Sequence, residues 1–468
     1  MRTPRILPLF ALVPLSYVAC VSDDPVSAGF SAADAGGSSS SSSSSGSTSS
    51  SGGSDAAVDA PAGKLDGVVV DAAGVPVTGA VVRVEGSSTT ATTGPDGKFS
   101  LDAAAPYDLV VVYPTTLTAS GKAGIAVIGA TTRQPHVQVD IGASRKAGST
   151  TITTSGTAAG NFPLPNTEGL TYLFAPTSRA LPVMRSFTSG AIATTVYSAS
   201  SAIAWSGDTP FTGEIHGFRY NLDPTTKLPT SFTGYGHTSY NISENGTDTL
   251  TVGLNNFTVG RVTGTIDPGG STQATLSYAL RVSGTSSLFL TAAYTSGTFD
   301  LPLLNVAGMR LGVAATGRGP NGGTASAWKT GLAIGASGVA LKIPAELNAT
   351  APAEAAIDVA SDAQFSWEAA AAGFSTYEVA IACGVGASVP DYTMIVLTKK
   401  TSVVVPDQSK IGNPFPGGKS CIWSSSAMTS PDTDDLLGVG GWTRYTSMRQ
   451  SPGDGAFSTT KVRTFTSK

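Results

Sequence analysis

From Lys64 to the C-terminus, apolar residues fall on alternate positions or in short unbroken runs, interrupted by Gly, Pro, Asn and Asp every ten residues or so. That is the period of short strands joined by tight turns rather than of helices. Leu65-Asp66-Gly67-Val68-Val69-Val70-Asp71 predicts a first strand, residues 72–79 a loop and residues 80–85 a second strand. Gly94-Pro95-Asp96-Gly97 supplies a turn, Lys98-Phe99-Ser100-Leu101 alternates as a strand should, and residues 109–113 form an apolar run. Val137, Val139 and Ile141 alternate again. In the middle of the chain, Leu250 and Val252, then Leu276, Tyr278, Leu280 and Val282, alternate with polar residues. From Pro352 onward, strands are expected at Phe365-Ser366-Trp367, 377–383, 401–406, Cys421-Ile422-Trp423 and Arg463-Thr464-Phe465. The expected fold class is all-β, with tandem β-sandwich modules following an N-terminal region of different character.

That region has two parts. Arg2 and Arg5 precede an apolar segment at 6–18, well short of the roughly 20 residues that span a bilayer, which predicts a signal peptide. Leu15-Ser16-Tyr17-Val18-Ala19-Cys20 resembles the lipobox of bacterial lipoproteins through Ala19 and Cys20, with Tyr17 where that family usually has Leu. The resemblance implies a signal peptide at 1–20 and a diacylated Cys20; the alternative is plain secretion after cleavage behind Val26-Ser27-Ala28. Residues 21–62 are nearly all Ser, Gly, Ala and Asp, with unbroken serine at 38–45, and cannot bury a core. Such a disordered tether has a root-mean-square span of about 35 Å and reaches about 140 Å when pulled straight. The protein is therefore expected to be exported and lipid-anchored, at the outer membrane or cell surface rather than the inner membrane, with secretion as the alternative.

Composition sharpens this picture. A chain of 468 residues exceeds one core, so several domains are expected. Its 55 glycines and 13% charged residues suit turns and short strands. A net charge of -4 with scattered basic residues excludes the electrostatic footprint of a nucleic-acid binder. There are three cysteines, and assigning Cys20 to lipid leaves Cys383 and Cys421.

Residues 63–144 resemble a carboxypeptidase regulatory-like module through Gly67, Asp71, Gly74, Pro76, Gly79, Ala80, Val82 and Asp96-Gly97-x-Phe99. The resemblance implies a transthyretin-type sandwich that accompanies other domains and carries no catalytic residues. Residues 145–259 and 260–347 are β-rich with no family pattern. Phe162-Pro163-Leu164-Pro165, followed by Leu170, Tyr172 and Phe174, matches Phe299-Asp300-Leu301-Pro302, followed by Ala307, Met309 and Leu311, at the same offsets. This suggests a weak repeat, with chance in a biased composition as the rival explanation. Residues 348–468 resemble a fibronectin type III-like sandwich, with Cys421 where that family usually has Tyr. That fold sets the end of the third strand beside the start of the sixth, which implies a Cys383–Cys421 disulfide; two buried free thiols are the alternative.

Several catalytic patterns match by letter and fail by context. Gly317-Arg318-Gly319-Pro320-Asn321-Gly322 fits a dinucleotide-binding fingerprint without the helix it needs. Ser326-Ala327-Trp328-Lys329 and Lys329-Thr330-Gly331 overlap, whereas a penicillin-binding site needs them on separate elements. Gly417-Gly418-Lys419-Ser420 echoes a phosphate loop with Asn413 in place of its first Gly. His136, His216 and His237 show no metal-ligand spacing, and Asp432, Asp434 and Asp435 lack the glycine and terminal Glu of a calcium loop. In the middle region, Asp208, Glu214 and Asp223 are the only local carboxylate cluster that could in principle serve a glycosidase. No cofactor, nucleotide or metal is expected. The densest aromatic group includes Trp205, Phe211, Phe218, Tyr220, Phe232, Tyr235 and Tyr240. Ordinary sandwich core is the favoured reading; rings facing solvent, with Trp205, Phe218, Tyr220, Tyr235 and Tyr240 stacking on sugar, is the other. The sequence thus points to a non-enzymatic envelope lipoprotein whose partners are a membrane and an envelope protein or polysaccharide. A carbohydrate-binding surface protein and an extracytoplasmic hydrolase in the middle region are the alternatives.

Overall fold

The computed structural model describes residues 63–142, 146–159, 167–182, 186–189, 198–226, 228–283, 286–294, 297–384, 389–429, 431–439, 441 and 453–468. Cys20, the tether and the Phe162-Pro163-Leu164-Pro165 segment lie outside them.

The expected strands form, and they assemble into four sandwiches. The first contains β1 (Gly63–Asp71), β2 (Val81–Val84), β3 (Thr90–Thr92), β4 (Lys98–Ala103), β5 (Tyr107–Pro114), β6 (Lys122–Ala130) and β7 (His136–Val139). One sheet has the order β4-β1-β7 and the other β3-β2-β5-β6, with β1 antiparallel to β4 and parallel to β7. The second contains β8 (Lys146–Ser155), β9 (Glu168–Pro176), β10 (Ala180–Pro182), β11 (Ser186–Ser189), β12 (Ser198–Gly207), β13 (Phe211–Leu222), β14 (Pro229–Ile242) and β15 (Thr247–Gly253). Its sheets run β10-β12-β8-β15 and β11-β9-β13-β14. The third contains β16 (Val259–Asp267), β17 (Gln273–Ser283), β18 (Ser286–Tyr294), β19 (Thr298–Leu304), β20 (Arg310–Arg318), β21 (Thr324–Leu332) and β22 (Val339–Lys342), in sheets β19-β16-β22 and β18-β17-β20-β21. Apart from the extra β10, these three modules share one topology. In each, the first strand lies between an antiparallel neighbour and the last strand, to which it is parallel.

The second and third modules share a strand order, but the letter match does not follow it. Leu170, Tyr172 and Phe174 lie on β9, the second strand of its module, whereas Leu311 lies on β20, the fifth of its module in sheet terms.

The fourth module contains β23 (Ala349–Ala351), β24 (Ala356–Val359), β25 (Gln364–Trp367), β26 (Phe374–Cys383), β27 (Tyr392–Thr398), β28 (Ser402–Val404), β29 (Ser420–Thr429), the single helical turn α1 (Thr433–Leu436), β30 (Gly455–Thr459) and β31 (Arg463–Ser467). A small β23-β25-β28 sheet faces a larger one built on β27-β26-β29. Cys383 pairs with Cys421 across β26 and β29, and the two form a disulfide buried in the core. The expected pairing is thus present, and the free-thiol alternative is excluded.

The modules follow one another along the chain but are not strung end to end. On one edge of the fourth module, β30 pairs with β21 of the third, from Ala325↔Ser458 to Trp328↔Gly455. On the other edge, β27 pairs in parallel with β6 of the first, from Met394↔Gly124 to Leu397↔Val127. One sheet thus runs β18-β17-β20-β21-β30-β29-β26-β27-β6-β5-β2-β3 through three modules. The apolar run at 109–113 now has its cause. Leu109, Val111 and Tyr113 face the core of the first module, while Val110 and Val112 join the core of the fourth. A strand covered on both faces has no reason to alternate.

Polar contacts fix this seam. The buried Arg83 donates to Glu85 and to the Asp407 carbonyl, both at 2.6 Å. The Asp434 carboxylate accepts from the Thr131 and Thr132 amides at 2.7 and 2.9 Å. The buried Gln408 side chain lies over Gly124, where an added Cβ would come 2.4 Å from its amide.

Two stability changes are expected. Cys383→Ala combined with Cys421→Ala reopens a 38-residue loop and should cost about 3–4 kcal/mol in urea unfolding, a difference that dithiothreitol should abolish. Gly124→Val displaces Gln408 and should cost about 1–3 kcal/mol, measured by the same unfolding curve.

Candidate functional site

The β13–β14 hairpin holds most of the aromatic group of the second module. Its turn forms because the Asp223 carboxylate accepts the Thr225 and Thr226 amides at 2.9 and 2.7 Å, with Pro224 between them. The two strands then carry different residues on their two faces. Phe211, Ile215, Tyr240 and Ile242 point into the module's own core with Trp205. Phe218, Tyr220, Phe232 and Tyr235 join Tyr278, Leu303 and Leu311 of the third module.

Trp205, Phe218, Tyr220, Tyr235 and Tyr240 are all buried, which overturns the reading of these rings as a sugar platform. Trp205 stacks on Phe211 with centroids 5.3 Å apart and donates its indole N–H to the Asp208 carbonyl at 2.8 Å. Tyr240 meets Phe174 edge-on at 5.2 Å, and Phe218 lies 5.3 Å from Tyr235. A ring with protein on both sides cannot stack on a ligand. The group is dense because this sheet has two faces to cover.

Of the carboxylates proposed for hydrolysis, two are taken up by other partners and Asp223 lies far from Glu214. Asp208 pairs with Arg179 at 3.2 Å and Asp223 holds the hairpin turn. Glu214 and Asp223 are nine residues apart along an extended strand, about 30 Å at ~3.3 Å per residue, against the 5–10 Å a glycosidase requires. The glycine-rich segment at 317–322 is the turn between β20 and β21, and the Glu346 carboxylate accepts its Asn321 and Gly323 amides at 2.5 and 2.6 Å. Of the amides in that segment, Asn321 donates to the carboxylate and Gly319 and Gly322 donate to backbone carbonyls, so these are already bonded. Ser326 and Lys329 lie on one strand, bonded to Thr316 and Asp454 at 2.9 Å each, and Lys419 pairs with Asp391 at 3.0 Å. Asp432 and Asp435 close a capping box on α1, and Asp432 also pairs with Lys399 at 2.6 Å, a contact that lowers its carboxyl pKa.

What the sequence reading missed is a cluster of Glu214, His216 and His237. His216 and His237 are directly opposite across β13 and β14, with stacked rings 5.5 Å apart. Glu214 lies 3.6 Å from the Nε2 of His216 and 3.5 Å from the Nδ1 of His237. The Nδ1 of His216 shares a 3.0 Å hydrogen bond with the Tyr235 hydroxyl. Burial, with the neighbouring His237, pushes the His216 pKa down to about 4, and burial beside Glu214 pushes that of Tyr235 up to about 12. Phe257, 40% exposed, meets Tyr235 edge-on at 5.5 Å. The Asp223-Pro224 turn signalled the hairpin, but not this pairing. Continuing the Leu222↔Pro229 register would set His216 against Tyr235; two irregularities, at Arg219/Tyr220 and Asn221/Leu222, move it to His237.

A further titratable group lies on the seam-bearing sheet. Glu378 on β26 is flanked by Leu397 and Ser426, on the face opposite Tyr377 and Val379. Only part of its side chain reaches solvent, and burial pushes its carboxyl pKa up to about 7.

No family model and no curated protein matches this chain. Among solved structures, the Bacillus anthracis TIE protein overlaps 60% of this chain and 49% of its own length at 14% identity and a TM-score of 0.15. The chain thus spans about half of that protein. A streptococcal ancillary pilin overlaps 60% of this chain and 99% of its own at 9% identity and a TM-score of 0.13. The pilus adhesin SpaC from Lactobacillus rhamnosus GG overlaps 72% and 43% at 9% identity and a TM-score of 0.15. TM-scores this low carry no argument about fold or function.

Trp205→Ala should therefore act as a core deletion, costing about 3–5 kcal/mol in chemical unfolding. Glu378 titrates with its folded pKa above the unfolded value of 4.5, so its contribution is fully present below pH 4.5 and lost as pH rises through about 7. Glu378→Gln should accordingly be more stable than the parent at pH 8, with the gap closing at pH 4, as read from urea midpoints at both values.

Proposed function

We propose that this chain is an exported, non-enzymatic lipoprotein of the cell envelope. Cys20 carries the lipid, residues 21–62 form the tether, and the four sandwiches make one body that binds or scaffolds an envelope protein. The observation that carries this reading is the sheet running unbroken from the third module through the fourth to the first. Strand pairing at both edges of the fourth module makes the body stiff, which suits a part held away from a surface at the end of a polar tether. The Cys383–Cys421 disulfide supports it, because such bonds persist in oxidising compartments outside the cytoplasm.

The strand order of the first module supports the carboxypeptidase regulatory-like, transthyretin-type reading of residues 63–144 and extends it to the next two modules. A three-stranded sheet facing the larger β27-β26-β29 sheet supports the fibronectin type III-like reading of the fourth. The polysaccharide reading keeps no support from the five buried rings, and the hydrolase reading keeps none from carboxylates that lie apart.

In the bacterial host, the parent chain should partition with membranes and incorporate labelled palmitate. Cys20→Ala should be soluble and unlabelled. Membrane attachment that survives this substitution sinks the anchor.

A further inference from the structure

Two of the chain's three histidines face one another on β13 and β14, and a carboxylate reaches both. We propose that Glu214, His216 and His237 form a binding site for a divalent transition-metal cation of the zinc class, beside the junction of the second and third modules.

The donor set favours that class. Two imidazoles and one carboxylate suit zinc, nickel or copper, whereas magnesium and calcium take oxygen ligands. Atoms sharing a tetrahedral zinc at about 2.0–2.1 Å stand roughly 3.3 Å from one another. The Glu214 oxygens are 3.6 Å from the Nε2 of His216 and 3.5 Å from the Nδ1 of His237, a few tenths of an ångström outside that spacing. Among the described residues no three His, Cys, Asp or Glu side chains stand in place to hold a metal ion, so binding here requires Glu214 and His237 to turn. The side chains that would turn are half exposed, Glu214 at 41% and His237 at 50%. The third donor is already fixed.

His216 supplies the independent observation. Its ring is buried, and its Nε2 has no hydrogen-bond partner. Its Nδ1 is bonded to the Tyr235 hydroxyl at 3.0 Å. In the tautomer whose Nδ1–H donates to that oxygen, the lone pair is on Nε2, the nitrogen 3.6 Å from Glu214. A histidine that binds a metal through one nitrogen typically anchors the other in this way. A buried nitrogen left unbonded is costly, and a cation would satisfy it. Three protein donors leave the fourth position to water. The site is independent of the lipid anchor.

The experiment uses the mature chain without a polyhistidine tag, stripped with EDTA and titrated calorimetrically with Zn²⁺, Ni²⁺, Ca²⁺ and Mg²⁺. One Zn²⁺ per chain is expected, with a raised unfolding midpoint. His237→Ala and Glu214→Gln, both at half-exposed positions, should each weaken Zn²⁺ binding at least tenfold and remove the midpoint shift. Asp96→Asn, an exposed carboxylate of the first module, should leave both unchanged. No saturable Zn²⁺ or Ni²⁺ binding overturns the proposal, as does binding that His237→Ala leaves intact or a preference for Ca²⁺.

Discussion

Strand pairing at the two edges of the fourth module is the interaction on which the rest of this structure depends. An exposed sheet edge presents unpaired N–H and C=O groups, and proteins cover such edges or blunt them. Here β27 is covered by β6 and β30 by β21, so the last module closes onto both the first and the third. The closure dictates composition far away. Residues 109–113 and the alternate positions of β6 are apolar on both faces because a core lies on each side. Gly124 is a glycine at a place where the Gln408 side chain leaves no room for a Cβ.

The second module meets the same constraint by packing rather than pairing. Its β11-β9-β13-β14 sheet covers its own core with one face and the third module with the other. Both faces draw on aromatic residues, which explains the local density of rings without a ligand. The same double burial places His216 where an imidazole is shielded from water while its neighbours Glu214 and His237 remain half exposed. A buried donor beside two half-exposed ones follows from the packing at the module junction.

These features bear on function together. A disulfide spanning the central strands of the fourth module stiffens the element that holds the first and third modules. Rigidity of this kind suits display or scaffolding, in which the body transmits position and its surface contacts a partner. The letter motifs of catalysis are absorbed by structural roles: Glu346 holds a turn, Asp223 closes a hairpin, Asp454 holds Lys329, and Asp434 ties the first module to the fourth.

The all-β class, the strand positions and the hairpin turns were legible in the sequence, because side-chain alternation and turn chemistry are local properties. The Cys383–Cys421 pairing was legible only through the resemblance of the last module to a known sandwich. The topological repeat was not, since the letter match it rested on joins a β9 segment to a β20 segment. Nor was the candidate site. A period of two says which residues share a face, but not what lies on the other side of the sheet, and two register shifts within one hairpin decide that His216 meets His237 rather than Tyr235. The sequence by itself determined the strands and the turns between them. Which edges pair, which faces are covered twice and which histidines meet were decided by tertiary structure, because those choices join residues that are distant along the chain.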